Sequence, residues 1–287
     1  MSVELELIAD YACVVGENPL WHPLEKRVYW TDISTGRLFR YDPATGEHEQ
    51  FYSGDPVGGF TFQEDGSLLL FMNKGGIRHW KDGELTTLRE VLEGEEDSRF
   101  NDVFADPQGR VYCGTMPVGD RLGNLYRLDT DGSLHKVVEG ISCSNGMGLT
   151  LDRKHLYYTD SMVYKIYRFD YDEAMGDLSN QTLFASNPPE EGLPDGMTVD
   201  AEGNVWSARW DGNRLVRLNP QGEQTLQIDF PVKKVSSVIF GGDDYKDMYI
   251  TTAGGDEKAT DGEHAGSLYR LRLGVQGLPE HFSRLRL

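Results

Sequence analysis

One pattern recurs six times along this 287-residue chain, and no other feature limits its fold as tightly. NDVFADPQGRVYCGTM followed by GNLYRLDTDG (Asn101 to Gly132) returns as NGMGLTLDRKHLYYTD followed by KIYRFDYD (Asn145 to Asp172), and again as DGMTVDAEGNVWSARW followed by NRLVRLNPQG (Asp195 to Gly222). Each copy reads strand, tight turn, strand, loop, strand. Weaker copies are GENPLWHPLEKRVYWTD with GRLFRYDPATG from Gly16, GGFTFQEDGSLLLFM with GGIRHWKDG from Gly58, and SSVIFGGDDYKDMYITT with GSLYRLRLG from Ser236. Alignment gives one equivalent position per copy: Glu17, Gly59, Asn101, Asn145, Asp195 and Ser237, separated by 42, 42, 44, 50 and 42 residues. That spacing is the length of a four-stranded propeller blade, so the chain is predicted to be all-β, a single six-bladed β-propeller over residues 1–287. The weakly patterned segment before each next copy, such as Leu134 to Gly140, is the expected fourth strand. Val3 to Ala9 (VELELIA) is expected to supply the outer strand of the last blade, which closes the ring and removes two open edges.

In a propeller the six aligned positions lie where the chain crosses from an outer strand to the next inner strand, so they ring one mouth of the central channel. Asp195 taken alone, in a Pro-Asp-Gly turn, reads as a turn former bonding its own backbone. Its place in a ring with Glu17, Asn101 and Asn145 points to a site. Two carboxylates and two carboxamides, with no Cys or His, suit a hard divalent cation such as Ca²⁺, Mg²⁺ or Mn²⁺. Without a cation, two converging carboxylates repel and one tends to stay protonated. The loops between second and third strands open on the same face and form the expected wall: Asp32, Met72 to Gly75, Met116 to Asn124, Ser161 to Tyr164, Arg209 to Asn213 and Gly254 to Gly266. Arg99 stands two residues before Asn101, either facing the channel or in a surface ion pair. Trp210 either stacks on a sugar ring or packs against the neighbouring blade.

Charge removes some partners from consideration. With 28 Lys and Arg against 47 Asp and Glu the net charge is −19, which repels the nucleic-acid backbone and anionic membranes. No window approaches the roughly 18 apolar residues of a membrane span, and MSVELELIAD lacks the basic and apolar regions of a leader, so a cytoplasmic protein is expected. Cys13, Cys113 and Cys143 carry neither a disulfide framework nor zinc-site spacing. The best helical candidate is Leu88 to Asp97, with Leu88, Val91 and Leu92 on one face; its acidic end is expected to be a solvated loop.

GENPLW at Gly16, RFNDVFADPQGRVYCGTM at Arg99, SNGMGLTLDRKHLYYTDS at Ser144 and LPDGMTVDAEGNVWSARWDG at Leu193 resemble the SMP-30, gluconolactonase and regucalcin family over nearly the whole chain. The resemblance implies a propeller with one divalent cation on its axis, held by Glu17, Asn145 and Asp195. Ca²⁺ stands first as that cation, with Zn²⁺, Mg²⁺, Mn²⁺ or Fe²⁺ also open. It also implies substrate contacts from Arg99 and Asn101, and Asp195 as general base. Many relatives have Gly where this chain has Asn18, which adds a side chain beside the metal. Where some animal members place a Glu after the GTM motif, this chain offers Asp120 and Arg121. With Trp210, these complete the expected substrate-binding set.

The implied activity is hydrolysis of a small sugar lactone, gluconolactone or a pentonolactone. The metal would polarise the carbonyl and acidify a bound water, whose proton Asp195 accepts. Phosphotriester or general ester hydrolysis at the same metal is an alternative reading. So is a non-catalytic calcium-binding propeller, since VYWTD at Val28 and LYYTD at Leu156 resemble the YWTD propellers of cell-surface receptors. A monomer or weak oligomer is expected.

Overall fold

Six four-stranded antiparallel sheets form a ring in a computed structural model that describes residues 4–286. The inner strands of blades one to six are Gly16–His22, Val57–Phe62, Phe100–Ala105, Ser144–Leu149, Leu193–Val199 and Lys234–Gly241, and they pack against one another around the axis. Blades one to five each take four consecutive strands. Blade six is completed from the other end of the chain, because Glu6–Asp10 pairs antiparallel with Ser267–Arg272. The closing strand is thus present as expected but runs Glu6–Asp10: Glu4 and Leu5 precede it, and Val3 lies outside the described residues. The fourth strand of blade three, Leu134–Ile141, matches its expected segment within a residue.

The helix expected over Leu88 to Asp97 is absent. Glu84–Arg89 is instead the outer strand of blade two, paired with Ile77–Lys81. That ladder satisfies backbone groups that a helix of two to three turns would have to satisfy alone, against an unfavourable nucleus. Residues 90–99 then form a loop that returns to the channel, and its acidic end is not all solvated, since Glu95 is fully buried.

Large side chains fill the wedges between blades. Trp206 of blade five meets Phe240 of blade six edge-on, with centroids 6.2 Å apart, and Trp21 of blade one stacks on Tyr249 of blade six at 6.2 Å. Burial of each such ring stabilises the ring of blades by about 2–3 kcal/mol. The last residues form a strap over the opposite mouth of the channel. Gly277 N donates to Tyr245 O (2.7 Å), Ser283 N to Phe62 O (2.8 Å) and Arg284 N to Gly109 O (2.9 Å), so the strap joins blades six, two and three.

Every inner strand breaks register with its neighbour at the aligned position. The shifts fall between Glu17 and Leu20, Val57 and Gly59, Phe100 and Val103, Ser144 and Met147, Pro194 and Met197, and Val235 and Ser237. A bulge adds a residue and re-aims the side chains on it, so consecutive residues no longer point strictly to opposite faces. Glycines follow Asn145 and Asp195 because the next inner strand passes too close for a Cβ: one at Gly146 would collide with the Met197 backbone, and one at Gly196 with the Ser237 side chain.

Candidate active site at the channel mouth

The bulges bring Glu17, Asn101, Asn145 and Asp195 from blades one, three, four and five to a single cavity of about 260 Å³. Arg99, Met116, Cys143, Ser161 and Trp210 complete most of its wall. A hydrogen-bonded chain crosses from blade three to blade four. Arg99 Nη1 donates to Asn101 Oδ1 (2.7 Å), Asn101 Nδ2 to Asn145 Oδ1 (3.0 Å) and to Ser144 O (2.7 Å), and Asn145 Nδ2 to Ser161 Oγ (2.8 Å). This chain orients both carboxamides, so that Asn145 Oδ1 has one lone pair committed and one remaining. Glu17 Oε2 accepts from Asn18 N (2.9 Å).

The carboxylates are held against their preferred charge. Burial raises the Glu17 pKa well above the ordinary range, and repulsion from Asp195 and Asp102 adds to it. Burial likewise raises Asp195 well above its usual range, with repulsion from Asp102 next; the Gly196 amide, Arg99 and Arg209 pull the other way. Burial pushes Asp102 up to about 7, with Arg99 opposing. Arg99 is half-buried and makes no ion pair among the described residues, so it is not a surface salt-bridge partner. Burial lowers its pKa as well, against the pull of the surrounding acids. Concentrated, unpaired negative charge in a buried oxygen-lined cavity is the condition that a hard cation relieves. Among the described residues there is no group of three His, Cys, Asp or Glu poised to hold a metal ion. A cation here would therefore depend on the Asn145 carboxamide as well as on Glu17 and Asp195.

Asp102 was missed by sequence reasoning. Strand alternation puts it opposite Asn101, yet both are buried at the bulge, and Asp102 Oδ1 has no hydrogen-bond partner among the described residues. Its adjacency to Asn101 at an aligned position was the available signal.

Several expected wall residues stand elsewhere. Asp120 lies exposed at the tip of a tight turn closed by reciprocal bonds between Val118 and Arg121 (2.9 and 3.0 Å). Arg121 turns away from the cavity, with Nη1 donating to Glu95 Oε2 at 3.0 Å. Neither lines the cavity, so the structure corrects both assignments: a buried carboxylate captures the guanidinium, and the short turn holds Asp120 in solvent. Asp32 is also not part of the wall. It is fully buried, with Oδ1 accepting from Val15 N (2.9 Å) and Oδ2 from Thr35 Oγ1 and Arg37 Nη2 (2.7 Å each). Residues 72–75 and 254–266 contribute no lining either. Asn18 does not turn toward the cation ligands. It adopts φ +48°, a left-handed conformation that Asn tolerates, and its Oδ1 accepts from Phe60 N of blade two at 2.6 Å. Trp210 lines the cavity and also meets the neighbouring blade, where Lys234 Nζ lies 5.7 Å from its ring centroid.

A second cavity of about 310 Å³ opens at the opposite mouth beneath the strap, among Met147, Leu149, Val199 and Glu280. It shares no residue with the oxygen-lined site.

The profile of the SMP-30/Gluconolactonase/LRE-like region matches residues 15–254, a span that holds every ring residue. The chain belongs to this family. The pentonolactonase XacC of Haloferax volcanii is 45% identical over 287 residues, covering 98% of both chains. Regucalcin of Xenopus laevis is 35% identical, covering 96% of this chain and 97% of its own. Among solved structures, a luciferin-regenerating enzyme superposes with a TM-score of 0.91 at 27% identity, over 99% of this chain and 100% of its own. For a member of the SMP-30/gluconolactonase family, the two departures noted in the sequence have structural outcomes. Asn18 becomes a link between blades, and the short loop after Met116 leaves the cavity wall to Arg99, Met116 and Trp210.

Proposed function

We propose that this protein is a divalent-metal-dependent hydrolase that opens a five- or six-carbon sugar lactone. The observation that carries the reading is the convergence of Glu17, Asn145 and Asp195 with a half-buried, unpaired Arg99 in one cavity. The names of its relatives support it: a pentonolactonase at 45% identity across essentially the whole chain makes a lactone the first substrate class to test.

Glu17, Asn145 and Asp195 fit a hard cation, with Ca²⁺ as the first ion to test, because the cavity combines repelling carboxylates with an oriented carboxamide oxygen. Such an ion, when bound, supplies Lewis acidity at the lactone carbonyl and the attacking water. The chain's own residues do the rest. Asp195, ionised beside such a cation, would accept the proton of the attacking water. Arg99 is a fixed donor braced by Asn101, since the 2.7 Å bond between them ties the guanidinium to a carboxamide whose own N–H groups are taken by Ser144 O and Asn145 Oδ1. The remaining guanidinium N–H groups are free to hold the lactone ring or carbonyl oxygen and to steady the oxyanion as it develops. No Ser or Cys nucleophile is required. Trp210 offers an aromatic face to the apolar face of a sugar ring.

The deciding experiment follows acid release from glucono-1,5-lactone, a set of pentono-1,4-lactones and one phosphotriester, with the protein first chelated and then loaded with Ca²⁺, Mg²⁺, Mn²⁺ or Zn²⁺. Turnover of a lactone that chelation abolishes is the expected result. Turnover of the phosphotriester alone would overturn the substrate class. Cation binding without any turnover would make this a binding propeller.

A further inference from the structure

In blades one and four the second strand ends on a buried carboxylate that clamps the loop entering that blade's inner strand. Asp32 sits opposite Gly16 in the ladder and accepts from Val15 N at 2.9 Å. Asp160 sits opposite Ser144 and accepts from Ser142 N and Cys143 N, both at 3.0 Å. Gly16 and Ser144 each immediately precede a ring residue, Glu17 or Asn145, so each clamp sets the approach of the chain to the cavity.

Blade three lacks this carboxylate. The equivalent position, opposite Phe100, is Thr115. Here the charge comes from the entering loop itself. Glu95 is fully buried, with Oε1 accepting from Thr115 Oγ1 (3.0 Å), Asn124 Nδ2 (2.8 Å) and Tyr126 OH (2.9 Å), and Oε2 accepting from Arg121 Nη1 (3.0 Å). All four donors belong to the second and third strands of blade three and their connecting loop. Burial opposes ionisation of Glu95, but the four donors outweigh it and hold its pKa below the ordinary range.

The bonds continue from Glu95 to the cavity wall. Ser98 N donates to Glu95 O (3.1 Å), Ser98 Oγ to Met116 O (2.7 Å), and Met116 N to Arg99 O (3.0 Å). Arg99 and Met116 both line the cavity. We propose that Glu95 is a positioning residue: the blade-three clamp, supplied from the loop instead of the strand, which fixes Arg99 and Met116 in the cavity wall and so sets substrate affinity without touching substrate or cation. This rests on the lactonase reading. It also explains why Arg121, a residue expected in the pocket, stands outside it, since it is one of the clamp's donors.

Glu95→Gln keeps the side-chain size but replaces one acceptor oxygen with a donor that faces other donors. Loss of one charged, buried hydrogen-bond arrangement should lower kcat/KM for glucono-1,5-lactone by about tenfold or more, mainly through a higher KM. Cation affinity, read by calorimetry with Ca²⁺, should stay within a factor of two or so, because the candidate ligands sit on blades one, four and five. Hydrogen exchange at the Ser98 and Met116 amides should accelerate by roughly tenfold, with blades one and six unaffected. Arg121→Ala removes only the half-exposed donor and should move the same readouts by a smaller factor, which keeps the test open if Glu95→Gln misfolds. Unchanged KM together with unchanged exchange at Ser98 and Met116 would overturn the proposal, as would loss of cation binding. Exchange needs no substrate. A wild type inert to every lactone would therefore sink the lactonase reading, while Glu95 would still be judged by exchange.

Discussion

Asp102→Asn should make the metal-free protein more stable near pH 8, and the size of the gain follows from where Asp102 sits. Its carboxyl is buried beside Glu17 and Asp195, one oxygen has no hydrogen-bond partner among the described residues, and its pKa is pushed from 3.8 up to about 7. The folded state thus binds a proton at Asp102 that the unfolded chain releases earlier. That contribution to stability is complete below the unfolded-state pKa and is lost as pH rises through about 7. Every tenfold difference in proton affinity between the folded and unfolded chain is worth about 1.4 kcal/mol, so ionising Asp102 costs at most about 4 kcal/mol above pH 7. Relaxation and water entry around the ionised carboxylate reduce that cost, so the measured gain should fall below this ceiling. At about 2.1 cal/mol/K per residue over 287 residues, the ceiling corresponds to a Tm increase of about 7 °C. The assay is thermal and urea unfolding of wild type and variant in chelator, from about pH 5 to about pH 8. Wild-type stability should decline across this range, and the variant should decline less. Equal stability of the two at every pH would refute the picture of a desolvated carboxyl at the channel mouth.

Other outcomes follow from the same geometry. Glu17→Gln and Asp195→Asn should each abolish tight cation binding in calorimetry while leaving the circular dichroism of the fold intact; normal metal content and turnover in both would remove them from the site. Arg99→Ala should leave cation affinity nearly unchanged but lower kcat/KM by roughly tenfold to a hundredfold, the worth of a charged hydrogen bond of about 1.5–3 kcal/mol; unchanged kinetics would mean that Arg99 only braces Asn101. Deleting the first nine residues strips most of the outer strand from blade six and the buried Ala9 from the blade-one interface, so Tm should fall and aggregation rise, whereas an unchanged Tm would mean that ring closure does not depend on that strand.

The sequence by itself determined the number of blades, the length of each and the identity of the ring. Those depend on strand alternation and turn residues, which are local and repeat at a near-constant interval. Glu17, Asn101, Asn145 and Asp195 could be named because equivalent positions in a propeller must face one axis, and the cavity contains all four. What each side chain does on arrival was decided only by the tertiary structure. The bulge at each aligned position broke the alternation that would have turned Asp102 away from Asn101. The fate of Asp120 and Arg121 turned on Glu95, a residue of an irregular loop whose partners lie 20 to 31 positions further along the chain. Asp32 appeared to be a cavity residue because its strand ends at the right face, yet its oxygens are taken by Val15, Thr35 and Arg37. A repeat reports where a position stands, because every copy shares the same backbone path. Which donors meet a buried carboxylate there depends on the loop that happens to pack above it, and the loops are the part of the repeat in which the copies differ.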